Sequence, residues 1–148
     1  MNDSEFEYLL EHAIVPVAQA RPTEAIVICC GADCLAGDPL STMMLSNGAL
    51  WEAVDRLVAF DVPTVIVGGG GYNPWTLARY WTGLWGRISG QEFPERLPGE
   101  AAELLRGMEC DLVDDEDVDE TWFTTIADCP YPGPVRDSIK SIADSVVA

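Results

Sequence analysis

The 148-residue chain is 48% hydrophobic, enough apolar surface for one ordinary domain with a core, which excludes intrinsic disorder as its overall state. Its formal net charge of −17, with eight Lys and Arg in total, excludes a nucleic-acid partner, because phosphate backbones are held by clustered cations. No apolar run is long enough for a membrane span, the N-terminus is acidic where a secretory signal is basic, and the five cysteines are odd in number, so the chain reads as cytoplasmic with reduced thiols.

Ser4 and Glu7 have capping-box spacing, and Phe6, Leu9, Leu10, Ala13, Ile14 and Val17 follow at helical period, so an amphipathic helix opens the chain and ends before Pro22. Residues 25–30 (Ala-Ile-Val-Ile-Cys-Cys) form an apolar run without polar alternation, as expected of a parallel strand covered on both faces. Leu50, Trp51, Val54, Leu57 and Val58 suggest a second helix, and Thr64, Val65, Ile66 and Val67 a second buried strand that runs into Gly68, Gly69, Gly70 and Gly71. Asn73 can cap, and Pro74 can start, a third helix whose apolar stripe takes in Leu77, Trp81, Leu84 and Trp85, both tryptophans as core. Short helices are predicted over 101–106 and 135–146. Acidic residues crowd 109–120 in a run without the glycine and ligand spacing of a calcium loop, which reads as a solvated connector. Strands alternating with helices give an α/β fold with a parallel sheet, and two strands leave that sheet incomplete.

Ligands of open α/β sheets bind beyond the carboxyl ends of the strands, where two unusual segments fall: 31–39 after the first strand and 68–74 after the second. Asp33, in a glycine-permitted turn, can present a carboxylate as a metal ligand or base, or it can brace the turn. The four glycines let backbone approach a ligand closely and bring the Tyr72 hydroxyl toward the same cleft, or they make a plain strand-to-helix turn.

Together, the stretch 30–38, the run Gly68 to Tyr72 and the block Ala78, Arg79, Tyr80, Trp81, Thr82 resemble three successive blocks of the histone deacetylase superfamily, over 4–90. The Gly-Gly-Gly-Gly-Tyr form is most similar to class I enzymes and bacterial acetoin utilization deacetylases. The resemblance implies the C-terminal part of a three-layer αβα arginase/deacetylase fold, with 1–90 as the C-terminal half of the catalytic domain and 91–148 as an acidic, Pro-containing extension. It implies that Asp33 is the third protein ligand of a catalytic zinc and that Tyr72 hydrogen-bonds the substrate carbonyl. Leu40 would wall the acyl-lysine tunnel, Gly69, Gly70 and Gly71 would line its floor, and Asp38 would brace the ligand loop. The substrate would be an acetylated protein or a small acetylated amine, hydrolysed at its N-acetyl amide.

The family's paired histidines and its Asp-x-His segment have no counterpart here, and the single histidine, His12, is offset from the apolar stripe of the first helix and reads as a surface residue. One carboxylate does not make a catalytic zinc site, so the chain is expected to be inactive alone. Cys29, Cys30 and Cys34 offer no alternative site, because adjacent strand residues face opposite ways and no CxxC spacing exists. The rival reading is a Rossmann-like module holding a phosphate or nucleotide on the glycine loop; its GxGxxG fingerprint fails at the last position.

Overall fold

The computed structural model describes residues 1–20 and 22–147. Helix α1 (Asp3–Leu9) is closed at its start by a capping box, made by Asn2 and Glu5 and not by Ser4 and Glu7. Both pairs have the required spacing, but the backbone leaves the helical region at Asn2 (φ −110°, ψ 174°), so its side chain is the one free to accept from the Glu5 N–H at 3.0 Å. Ser4 is already helical, and its hydroxyl accepts instead from Gly133 N–H. A π-helical turn (Leu10–Ile14) precedes α2 (Val15–Gln19), in which Pro16 has no N–H to carry the regular ladder across the junction. His12 is exposed, as expected.

Strand β1 (Ile26–Cys29) pairs in parallel with β2 (Thr64–Val67), Ile26 opposite Thr64 and Cys29 opposite Val67. Between them runs α3 (Asn47–Val58), capped by the Ser46 hydroxyl, which accepts from Ala49 N–H. After β2 comes α4 (Pro74–Ile88), started by Asn73 and Pro74 as predicted: the Asn73 side-chain oxygen accepts from Trp75 and Thr76 N–H at 3.0 and 3.2 Å. Both helices pack on one face of the sheet, where Ile28 and Ile66 meet Leu50, Trp51, Val54, Leu77, Tyr80 and Leu84. They approach closely because α4 offers Gly83: a Cβ there would lie 2.1 Å from the Trp51 ring, whose Nε1–H donates to Tyr80 O.

The expectation that the strands are covered on both faces holds for one face only within this chain. Side chains alternate along a strand, and those that point away from α3 and α4, Val27, Val65 and Val67, are exposed. Trp85 also departs from its expected place in the core. It is 67% exposed, because the inward line of α4 runs through Tyr80 and Leu84, and the next residue is turned about 100° away. Trp81 flanks that line and is half-buried against the core.

Beyond α4, helix α5 (Gly99–Arg106), a 3₁₀ turn (Asp115–Asp117) and a second one (Glu120–Phe123) lead to α6 (Asp137–Val147). A smaller core of Trp75, Leu105, Trp122 and Phe123 fixes this segment to the start of α4, with Trp75 stacked on Trp122 and donating its Nε1–H to Leu105 O at 2.7 Å. A polar clamp ties it in again. Arg79 is buried, its Nε–H donates to Thr125 O, and its Nη1 lies 2.8 Å from Asp128 Oδ1, an ion pair not aligned as a hydrogen bond. Asp128 in turn accepts from Asn47 N–H, and Asn47 donates its side-chain amide to Ile126 O.

Candidate functional site

The carboxyl ends of the two strands open side by side, because parallel pairing brings Gly31 after β1 next to the glycines after β2. Backbone bonds continue past the strands: Cys30 N–H donates to Val67 O, and Ala32 N–H to Gly70 O at 2.7 Å. Residues Ala32–Cys34 then make one 3₁₀ turn that carries Asp33, and Gly37, at φ +87°, turns the chain toward Asp38.

Asp38 is the joint of the site. It is 5% exposed, and its two carboxylate oxygens accept from different loops, Oδ1 from Leu40 N–H at 2.9 Å and Oδ2 from Tyr72 N–H at 2.8 Å. Asn73 adds a second tie, donating from Nδ2 to Gly37 O at 2.9 Å. Glycine is required at position 37 by its positive φ and by Trp122, whose ring would lie 2.5 Å from an added Cβ. Thus the loop bearing Asp33 and the loop bearing Tyr72 are hydrogen-bonded to each other and packed against the C-terminal segment.

Asp33 is half-buried, and its carboxylate makes no hydrogen bond or ion pair among the described residues. Tyr72 is 45% exposed, and its backbone carbonyl accepts from the Cys110 thiol at 3.7 Å. Leu40 is exposed, held by its backbone bond to Asp38. Gly71 needs its glycine for a φ of +142°, and a Cβ on Gly69 would press on the Gly31 backbone at 3.2 Å. A cavity of about 370 Å³ opens beside Asp33, lined by Cys30, Gly31 and Cys34 on the loop side and by Leu10, Leu50 and Val54 from the helices. A cavity of about 620 Å³ lies elsewhere, between α2 and the end of α3, where Arg56 pairs with Glu11.

Among the described residues no three His, Cys, Asp or Glu side chains converge to hold a metal ion. Asp33 could supply at most one ligand to a metal ion, and no set among the described residues completes a zinc centre around it. The cysteines join no such group. Burial, helped by the neighbouring Asp33 charge, pushes the Cys34 thiol up to about 11, and burial also raises Cys30, so both keep their protons at neutral pH. The phenol of Tyr80 is fully buried beside these thiols, without a well-formed hydrogen bond, and burial raises it strongly.

Sequence reasoning missed Trp122 and Cys110 and, although it placed Gly31 in the candidate segment 31–39, missed what that glycine contacts. The first two reach the site only through the packing of the C-terminal segment, for which the sequence carries no local signal. Gly31 was legible as a strand terminator, but its nearness to Gly70 needs the strand register.

Comparison with known proteins follows the same residues. The family model described as Histone deacetylase domain matches residues 1–88. Histone deacetylase clr6 of Schizosaccharomyces pombe is 37% identical over 98 residues, covering 66% of this chain and 24% of that protein. Histone deacetylase 3 of Oryza sativa subsp. japonica is 35% identical over 98 residues, 66% of this chain and 19% of its own length. The crystal structure of an HDAC homolog from Aquifex aeolicus superposes with a TM-score of 0.90 at 34% identity, over 100% of this chain and 40% of that one; an HDAC homolog complexed with SAHA superposes equally well. The chain thus has part of the arginase/deacetylase fold and spans about a quarter of the length of the curated relative clr6. With 1–88 matched by the family model and the whole chain superposed on a solved homolog, this chain belongs to the histone deacetylase domain family.

Proposed function

We propose that this chain supplies part of the active site of a zinc-dependent deacetylase that hydrolyses N-acetyl amides, on acetyl-lysine of a protein or on a small acetylated amine. One observation carries the reading: an uncommitted carboxylate, Asp33, and an exposed phenol, Tyr72, stand on two loops joined by Asp38 at the carboxyl ends of parallel strands. A bound zinc would supply Lewis acidity toward the acetyl carbonyl and its attacking water. Asp33 would be one of its ligands. Tyr72 would donate its hydroxyl to the carbonyl oxygen as negative charge builds there. Gly69, Gly70 and Gly71 let the acyl chain approach the backbone, and Leu40 gives it an apolar wall. The SAHA complex of a solved relative supports a site that takes a small molecule.

The phosphate-binding alternative is weaker, because the N–H groups that open α4 are already taken by the Asn73 side chain. With Asp33 as the one ligand identified among the described residues, the chain by itself should hold zinc weakly and turn over no substrate. Metal analysis after dialysis, with an acetyl-lysine peptide assay on the same sample, tests this. Weak zinc retention and no turnover are expected; stoichiometric zinc with turnover by the chain alone would overturn it.

A further inference from the structure

We propose that Gly70, together with Gly31, is a positioning residue for Asp33: the two missing Cβ atoms form the slot in which the carboxylate is held. A Cβ built on Gly70 would lie 2.2 Å from Asp33 Oδ2 and 2.5 Å from its Cγ. One built on Gly31 would lie 2.6 Å from Asp33 Oδ1, and also 2.7 Å from Gly70 N and 2.9 Å from Gly70 O, so glycine at 31 serves the close approach of the two loops as well as the carboxylate. The two glycines therefore flank the two carboxylate oxygens. Atoms cannot share that space, so any larger residue at position 70 must turn the carboxylate away.

Conformational freedom is not the reason for glycine here, since neither Gly31 nor Gly70 is among the glycines with positive φ. The four glycines of the run are also not equivalent. A Cβ on Gly68 meets nothing nearer than the Trp81 ring at 3.5 Å, an ordinary contact, and Gly71 is fixed as glycine by its φ of +142°. Asp38, the other carboxylate of the site, is oriented by two N–H donors, whereas Asp33 has no hydrogen bond to orient it. Shape replaces hydrogen bonding at Asp33, which leaves both of its oxygens free to act on something else. The slot is a property of the chain itself; its use rests on the reading of Asp33 as a metal ligand.

The test is a double-mutant cycle in the full chain, followed by thermal unfolding and by the three-bond couplings that report the Asp33 χ1 rotamer. Gly70→Ala should lower Tm by roughly 5–10 °C and shift or average the Asp33 rotamer, while Gly68→Ala should leave the rotamer unchanged. In the Asp33→Ala background most of the cost of Gly70→Ala should disappear, including any failure of the single variant to fold. An equal cost in both backgrounds, a double variant that folds no better than Gly70→Ala, or an unchanged Asp33 rotamer would overturn the proposal. A separate arm isolates the ligand reading. Here the chain replaces the matching segment of the Aquifex aeolicus homolog, and zinc content is measured for Gly70→Ala and Asp33→Ala. Both should lose zinc; if Asp33→Ala retains it while the cycle shows coupling, the slot stands and the ligand reading fails.

Discussion

Two carboxylates five residues apart, Asp33 and Asp38, are put to opposite uses. Asp38 is buried and accepts two backbone N–H groups, so Asp38→Ala strands both donors and should cost about 1–3 kcal/mol in denaturant unfolding. Asp33→Ala removes no hydrogen bond and should cost distinctly less; a larger loss than that of Asp38→Ala would contradict the division of roles. Tyr72 offers a sharper test, because Phe keeps the ring and deletes only the donor. In the homolog carrying this chain, Tyr72→Phe should lower turnover by about 10²–10³-fold with zinc content unchanged. An unchanged rate at full zinc occupancy would remove Tyr72 from the chemistry.

At the scale of elements, what was legible followed from local pattern. The β-branched runs marked β1 and β2, Asn73 and Pro74 marked the start of α4, and the rule that ligands gather at strand ends pointed to the loops of Asp33 and Tyr72. What was not legible depended on partners distant in sequence. Trp85 fits a helical stripe but faces outward, Trp122 packs on Gly37, and Asp128 takes Arg79. Glu5 of the Asn2 capping box also has a distant partner, Arg136 just before α6, whose guanidinium donates to its carboxylate. That guanidinium holds Glu5 down to about 2 from an ordinary 4.5, against the opposing effect of its burial. A carboxylate depressed in the folded state stabilises fully above its unfolded value and loses that contribution as pH falls through the folded one. The junction of α1 and α6 should therefore weaken between about pH 4.5 and about pH 2. Thermal scans of the parent and Glu5→Gln should show Tm curves that converge across this window. Parallel curves would show that the pair contributes no pH-dependent stability.

Across the whole molecule, 25 Asp and Glu stand against eight Lys and Arg, and the exposed acids of 109–120 add to a net charge of −17. Self-repulsion of that size destabilises the compact state and is relieved as salt shortens the screening length from roughly 10 Å at 0.1 M to roughly 3 Å at 1 M. Surface pairs such as Arg56–Glu11 are screened too, but each is worth little. Tm should rise as NaCl increases from 0.1 M to molar concentrations, and a flat or falling Tm would show that the ion pairs outweigh the repulsion. The same acidic molecule leaves the apolar strand face of Val27, Val65 and Val67 uncovered and superposes on 40% of a solved deacetylase homolog, so its site is best tested with the rest of such a domain around it. The decisive measurement is zinc content and acetyl-lysine peptide turnover of the Aquifex aeolicus homolog with this chain in place of its matching segment, compared with the same protein carrying Asp33→Ala. Zinc and turnover are expected in the first and the loss of both in the second; full zinc and an undiminished rate after Asp33→Ala would contradict the assignment of this chain to the deacetylase site.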